Sequence, residues 1–326
     1  MRGNSASRQG SPPTLEIEVR PPCPYRLPAR GRMDGVMRSG GGVLTRLLHI
    51  GGAPVVVHGW QRRDGSVAIR AVAADAAAEL PPHALEEAVS RMRFSLAVDD
   101  DLHPFYKEFK RDPFIGPAIR RRPWLRAKRR PYAWEALAWA ITEQLIESSR
   151  AAQIQKRIIR KWGRTSTWKG KGAEYRPLSD LPCHSTFAGM APAELASCDL
   201  APARSVAMVK CAKEVASGRA DPADPAADAR FERISEIGPW TLQCLGLFGR
   251  GEFDSLPAGD LAYVKLVGVA QGLGRRAMVS EVEEFYARYE PFRALAGVFS
   301  LSHYSSAQSH ARGLPMAPDF YADAAA

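Results

Sequence analysis

The chain has no CxxC cysteine pair, no apolar run of membrane length and no acidic excess, and each absence removes a class of protein. Its five cysteines (Cys23, Cys183, Cys198, Cys211 and Cys244) are scattered through 326 residues. That spacing speaks against a zinc ribbon, an iron–sulfur cluster or a disulfide framework, and reduced structural thiols are expected instead. The N-terminal MRGNSASRQGSPP lacks the hydrophobic core of a secretory signal, so a cytoplasmic protein is expected. A composition of 45% hydrophobic and 25% charged residues is that of a globular protein with room for two or three domains.

The charge that is present is unevenly spread. The net charge is +10, yet residues 107–171 alone hold 18 Lys and Arg against five Asp and Glu. The remainder of the chain is therefore slightly acidic. A basic face on one part of a protein is the footprint of a polyanion binder. A solvated basic surface without a partner has the same composition.

Residues 14–20, 43–49, 54–60 and 67–73 are short, β-rich and partly alternating, and read as strands. Arg63-Asp64-Gly65 supplies a hairpin turn, and residues 82–98 read as an amphipathic helix with Leu85, Val89, Met92 and Leu96 on one side. From residue 101 the pattern turns helical. Residues 134–146 place Trp134, Leu137, Ala138, Ile141 and Leu145 on one buried stripe. Ser149 is the expected cap of the next helix, which Gly163 ends, and residues 164–177 read as an exposed loop. Further helices are expected around residues 191–197, 203–217, 280–289 and 291–304, with Ser280 and Glu283 as a capping box.

Residues 231–268 carry the densest set of signals. A helix ending near Ile234 leads into a hairpin, Ser235-Glu236-Ile237-Gly238, and Pro239 opens a second helix. Gly238 allows close approach of an outside ligand, and the first amides of that helix suit an anion such as a DNA phosphate. Asp260, after Pro257-Ala258-Gly259, begins a third helix. An Asp there is first of all an N-cap. Fixed in that place, it is also an ionised carboxylate able to stabilise positive charge on a substrate or to orient a water. Trp240 fits either a core position or an aromatic wall, and no Lys stands there to form a Schiff base.

The hairpin, the GPW turn, the Pro-rich loop and Asp260, with FYKEFKRDPFIGPAIRRRPWLR and PYAWEALAWAITEQL upstream, resemble the helix-hairpin-helix DNA glycosylase superfamily. The similarity is to its alkylation-repair branch, the bacterial 3-methyladenine DNA glycosylase II type, and it spans residues 14–305. It implies an α+β chain with a small antiparallel β-sheet domain and one helix (residues 14–100). An all-α helix-hairpin-helix catalytic domain (residues 101–306) follows, with a disordered leader (residues 1–13) and a loosely ordered tail (residues 307–326) at the ends.

The resemblance makes Asp260 the catalytic carboxylate. Trp240 stands where bifunctional members carry their lyase Lys, which implies a monofunctional glycosylase. Gln144 and Leu145 match the loop whose bulky side chain fills the gap left by a flipped base, although the spacing of Leu145 also fits the buried stripe. Ile237, Gly238, Trp240 and Thr241 would contact DNA, and Trp134, Trp240, Tyr263 and Tyr304 would wall the base pocket. Basic side chains between Arg120 and Lys161 would grip phosphates. The implied partner is damaged duplex DNA, met by a monomer with no cofactor; hairpin carbonyls hold a monovalent cation in relatives. The chain departs from the pattern at Ser235 and Glu236, where Pro-Gly is usual, and at Glu143, where Gly is usual. A non-catalytic DNA-binding protein of the same fold and a bifunctional oxidised-purine glycosylase are the alternatives.

Overall fold

The computed structural model describes residues 12–75, 79–166 and 177–304. The expected leader and tail lie almost wholly outside those residues. The alternating runs form β1 (Thr14–Val19), β3 (Val43–Ile50), β4 (Ala53–Gln61) and β5 (Val67–Ala73), joined at one edge by β2 (Met37–Gly40). They make one antiparallel sheet in the order β1-β5-β4-β3-β2. The β4–β5 turn forms as expected: Gly65 takes a φ of 87°, and the Asp64 carboxylate accepts from the amide and hydroxyl of Ser66. Strand β2 is absent from the sequence reading because its MRSG is short, polar and ends in glycine, as edge strands are. Helix α1 (Ala84–Leu96) covers one face, and its Ala88, Val89, Met92 and Leu96 join Leu48, Val55, Val57 and Ile69 in a core.

The rest is largely helical: α2 (His103–Phe109), α3 (Gly116–Arg121), α4 (Ala133–Glu143), α5 (Ser148–Trp162), α6 (His184–Ala188), α7 (Pro192–Ala196), α8 (Pro202–Ala216), α9 (Asp228–Phe231), α10 (Pro239–Leu245), α11 (Leu261–Ala270), α12 (Val279–Ala287) and α13 (Arg293–His303). A small ladder pairs β6 (Arg164–Ser166) with β7 (Leu178–Asp180), so the first three residues of the segment read as loop (164–177) are strand and a strand follows it directly.

Local details differ from expectation for identifiable reasons. Helix α4 stops at Glu143, because Gln144 leaves helical geometry and Leu145 turns left-handed at φ 52°. Ser149 lies inside α5, whose N-cap is Glu147. The Ser280–Glu283 box gives way to Glu281, whose carboxylate accepts from the Met278 amide one residue before α12. The helix before the hairpin ends at Phe231 rather than Ile234.

Two apolar clusters fill the helical part. One gathers Trp139, Ile158, Phe187, Met208 and Phe231, with Ile237 from the hairpin. The other gathers Phe105, Ile119, Tyr263, Tyr286 and Phe299. Leu245 belongs to the first and Leu247 to the second, and Phe248 packs against both. The hairpin segment is thus the seam between them. It continues past α10 as a widened π turn, residues 246–250, a distortion frequently found at functional sites. At Gly249 a Cβ would fall 2.8 Å from that of Ala136, so glycine lets α4 press against this turn.

A buried charge network ties the sheet to the helices. Arg46, fully buried on β3, donates to both carboxylate oxygens of Glu135 on α4 (3.2 and 2.7 Å) and to Asp180 on β7 (3.0 Å). Arg130 bridges Asp34 (2.5 Å) and Glu135 (3.2 Å), and the Trp139 indole donates to Asp34 (3.0 Å). Part of the basic stretch is therefore structural. Arg129 and Arg130 point inward, Arg164 pairs with Asp180, and Arg150 and Arg157 pair with Asp199. Of the basic side chains between Arg120 and Lys161 expected to grip phosphates, Arg129 and Arg130 are thereby withdrawn, whereas Arg150 and Arg157 keep 61% and 48% of their side chains exposed.

Candidate active site

Asp260 caps α11, its carboxylate accepting from the Ala262 amide at 2.8 Å. The cap and the candidate chemistry occupy the same atoms. The side chain is recessed and half-buried, and burial raises its pKa above the ordinary aspartate value. The Ala262 amide, the Trp240 indole and the charge of Lys265 oppose that shift. An aspartate that simply stays ionised, as its place at a helix start suggests, is therefore too simple a description: the fold makes its negative charge costly. A charge held at that cost interacts strongly with any cation brought beside it.

Trp240 stands next to this carboxylate. A Cβ on Gly259 would lie 3.8 Å from Trp240 Cβ and Cδ1, which sets the indole against the turn that carries Asp260. The other expected wall residues are placed differently. Trp134 is nearly buried, its ring edge-on to Phe187 at 5.6 Å. Tyr263 is buried behind Asp260 against Tyr286, with Gly297 making room for its hydroxyl. Tyr304 stacks on Phe114 at 4.7 Å and donates to the Phe114 carbonyl. These three serve packing; Trp240 alone of the four stands at the carboxylate.

The hairpin and the loop after α4 are fastened together. Gln144 Nε2 donates to the Glu236 carbonyl (2.6 Å) and to the Thr241 hydroxyl (2.9 Å), and Arg204 on α8 donates to the Gln144 carbonyl (2.7 Å). Arg204 is 60 residues from Gln144, and no local signal marks it. The clamp leaves Leu145 standing out, 79% exposed, in a left-handed conformation that costs a non-glycine residue energy. The buried-stripe alternative for Leu145 fails because the helix ends two residues earlier. Ile237 and Thr241 are buried, so outward contact from them falls to the backbone. Gly238 is extended, and a Cβ there would meet nothing, so the space before it is open to solvent. Glu236 adopts a φ of 75°, a position that favours glycine, and its side chain is exposed.

A cavity of about 160 Å³ opens between α4 and α10. Trp139, Ala140 and Glu143 of α4 line it with Cys244 of α10 and Phe248 of the π turn, and Arg32, Lys128 and Arg130 make the rest of the lining basic. Asp260 does not line it, but its charge helps to raise the pKa of two groups that do, Glu143 and Cys244, after burial as the larger cause. Burial keeps the Cys244 thiol protonated. The lining escapes sequence reading because Trp139 and Phe248 are set by partners distant in the chain.

Two sets of groups could be considered for ions. In the hairpin the carbonyls of Ile234, Glu236 and Gly238 each accept a protein hydrogen bond. Cys23, Asp101 and His103 converge elsewhere, but Asp101 there caps α2 through the His103 amide (2.9 Å) and accepts from or pairs with His103 Nδ1 (2.7 Å).

No protein-family model matches the chain. It is 24% identical over 217 residues to a DNA-3-methyladenine glycosylase of Bacillus subtilis, covering 65% of this chain and 70% of that protein. Its structure is similar to the 3-methyladenine DNA glycosylase from Archaeoglobus fulgidus (TM-score 0.72, 18% identity, 90% of this chain and 98% of that one). It is also similar to a Clostridium acetobutylicum 8-oxoguanine glycosylase/lyase in complex with double-stranded DNA (TM-score 0.60, 13% identity, 83% and 97%). A five-stranded antiparallel sheet leading into a helical part built around this hairpin is thus the fold the chain shares with these solved DNA glycosylases, and its sequence is similar to that of the Bacillus subtilis enzyme.

Proposed function

We propose that the protein is a monofunctional glycosylase that flips an alkylated purine out of duplex DNA and hydrolyses its N-glycosidic bond. The observation that carries this reading is the recessed carboxylate of Asp260 next to Trp240, with Leu145 held outward by a clamp on the hairpin. Leu145 enters the stack and offsets the few kcal/mol that unstacking costs. The hairpin backbone around Gly238 meets a phosphate, and the base turns into the cavity. The bond between the sugar C1′ and the base nitrogen breaks, and its electron pair leaves with the base. An alkylated purine is already cationic and accepts that pair readily. Asp260 stabilises the oxocarbenium-like sugar and orients the water that adds to C1′, whose proton passes to the carboxylate or solvent. Trp240 has no amine, so no Schiff base forms and the strand is not nicked.

The test is base release from methylated duplex DNA, resolved by chromatography. Free 3-methyladenine or 7-methylguanine without strand scission is expected. Tight, salt-sensitive binding with no release would favour the non-catalytic alternative, and a borohydride-trapped adduct would favour the bifunctional one. Leu145→Ala adds a second test. An exposed leucine contributes little to folding, so stability should stay within about 0.5 kcal/mol of wild type. Release from a paired lesion should fall by at least ~10-fold, and release from an unpaired one by less, because unpaired bases need less help to leave the stack. Equal losses on both substrates would remove the wedge role.

A further inference from the structure

The C-terminal end of a helix disfavours a carboxylate, because its unpaired carbonyls already carry partial negative charge. Glu143 is the last residue of α4, so the fold does not ask for an acid there. Its oxygens are treated unequally. Oε1 accepts from Gln155 Nε2 at 3.0 Å, and Gln155, itself almost wholly buried, is fixed by a second bond to Thr142. Arg130, 4.0 Å from Glu143, is drawn instead to Asp34 and Glu135. Oε2 has no hydrogen-bond partner among the described residues. The side chain keeps 36% of its surface accessible while lining the cavity between α4 and α10. The result is an oriented carboxylate with one unused acceptor in a space of about 160 Å³, well below the roughly 300–1,000 Å³ of drug-sized pockets and suited to one planar heterocycle.

We propose that Glu143 is the residue that reads the flipped base, Oε2 accepting from an N–H on its edge, so that the cavity selects purines that present such a donor. This rests on the flipping reading above but not on catalysis. Hypoxanthine and 7-methylguanine keep a ring N–H next to a carbonyl; ethenoadenine has its amine locked in a second ring and offers no N–H. A base of the second kind leaves Oε2 desolvated and unpaired, and that penalty is the source of discrimination. The flanking Trp139 and Phe248 supply apolar contact that any purine shares; Arg32, Lys128 and Arg130 add donors for a carbonyl or ring nitrogen, and Glu143 is the acceptor in the lining that reads an N–H. The aromatic rings first expected to make the pocket are spent elsewhere in packing.

The experiment uses binding, so that it does not depend on turnover. Labelled duplexes carrying one hypoxanthine, one ethenoadenine or no lesion are titrated with Asp260→Asn protein, and with the same protein also carrying Glu143→Gln or Glu143→Ala. The parent should bind the hypoxanthine duplex about 10- to 100-fold more tightly than the ethenoadenine duplex. Glu143→Ala should abolish that ratio, and Glu143→Gln, whose amide oxygen still accepts, should restore part of it. An unchanged ratio in Glu143→Ala, or no lesion preference in the parent, overturns the proposal. Absence of base release by the unmodified protein would overturn the catalytic reading alone and would leave this ratio unaffected.

Discussion

Replacing Asp260 with asparagine is expected to slow base release by about 10²- to 10³-fold, the usual loss when a transition-state stabiliser is removed. The same substitution should not weaken the fold. Asparagine caps helices as well as aspartate does, and its side-chain oxygen can still accept from the Ala262 amide. The pKa shift gives the sign of the stability change. The folded pKa of Asp260 is raised, so its contribution to stability is greatest below the unfolded value of 3.8 and declines as pH rises through the folded pKa. At neutral pH the ionised group works against folding, and Asp260→Asn should leave the melting temperature unchanged or higher. Opposite movements of rate and stability are the mark of a functional carboxylate. The same shift places the acid limb of the wild-type rate profile above the ordinary aspartate range, since activity needs the ionised form. Single-turnover release and thermal melting of both proteins decide the matter. A variant rate within threefold of wild type would remove Asp260 from the chemistry.

The second large effect is on stability. Arg46→Met should destabilise the protein by about 3 kcal/mol or more, the usual result when one partner of a buried ion pair is removed. Burial opposes the charge on Arg46, and Glu135 and Asp180 hold it in place. After substitution Glu135 keeps Arg130, and Asp180 keeps His49 and Arg164, which places the loss toward the lower end of the range. Arg62→Met is the comparison. Its pairs with Glu16 and Glu18 are exposed to solvent, and the change should stay within about 0.5 kcal/mol. Denaturant titrations of the three proteins measure both. An Arg46→Met midpoint no lower than that of Arg62→Met would show that the network does not hold sheet and helices together.

What the sequence discloses and what it hides divide along the distance between partners. Strands β1, β3, β4 and β5 are legible because alternation and turn residues are local, and so is the place of Asp260 at the start of α11. Leu145 is half legible. Periodicity sets it on the apolar stripe of α4, yet periodicity does not say where a helix stops, and the left-handed turn there reverses its burial. The aromatic residues mislead for a related reason: a ring that can stack on a base can equally fill a core, and Trp134 and Tyr263 do the latter. Arg204 on Gln144, Trp139 on Asp34 and Arg46 on Glu135 bridge 60, 105 and 89 residues, and no spacing rule connects them.

Gln144 has a consequence for how such a protein would travel along DNA. One side-chain amide joins the segment bearing Leu145 to the hairpin carbonyl at Glu236 and the hydroxyl of Thr241. Under the proposed function, probing a base pair and seating on the backbone cannot occur separately. When the hairpin lifts from the duplex, the leucine is withdrawn with it, and undamaged stretches are passed without being opened. The acidic, left-handed Glu236 beside that joint weakens each seating. Interrogation would then be frequent and brief, lasting only where a base yields easily.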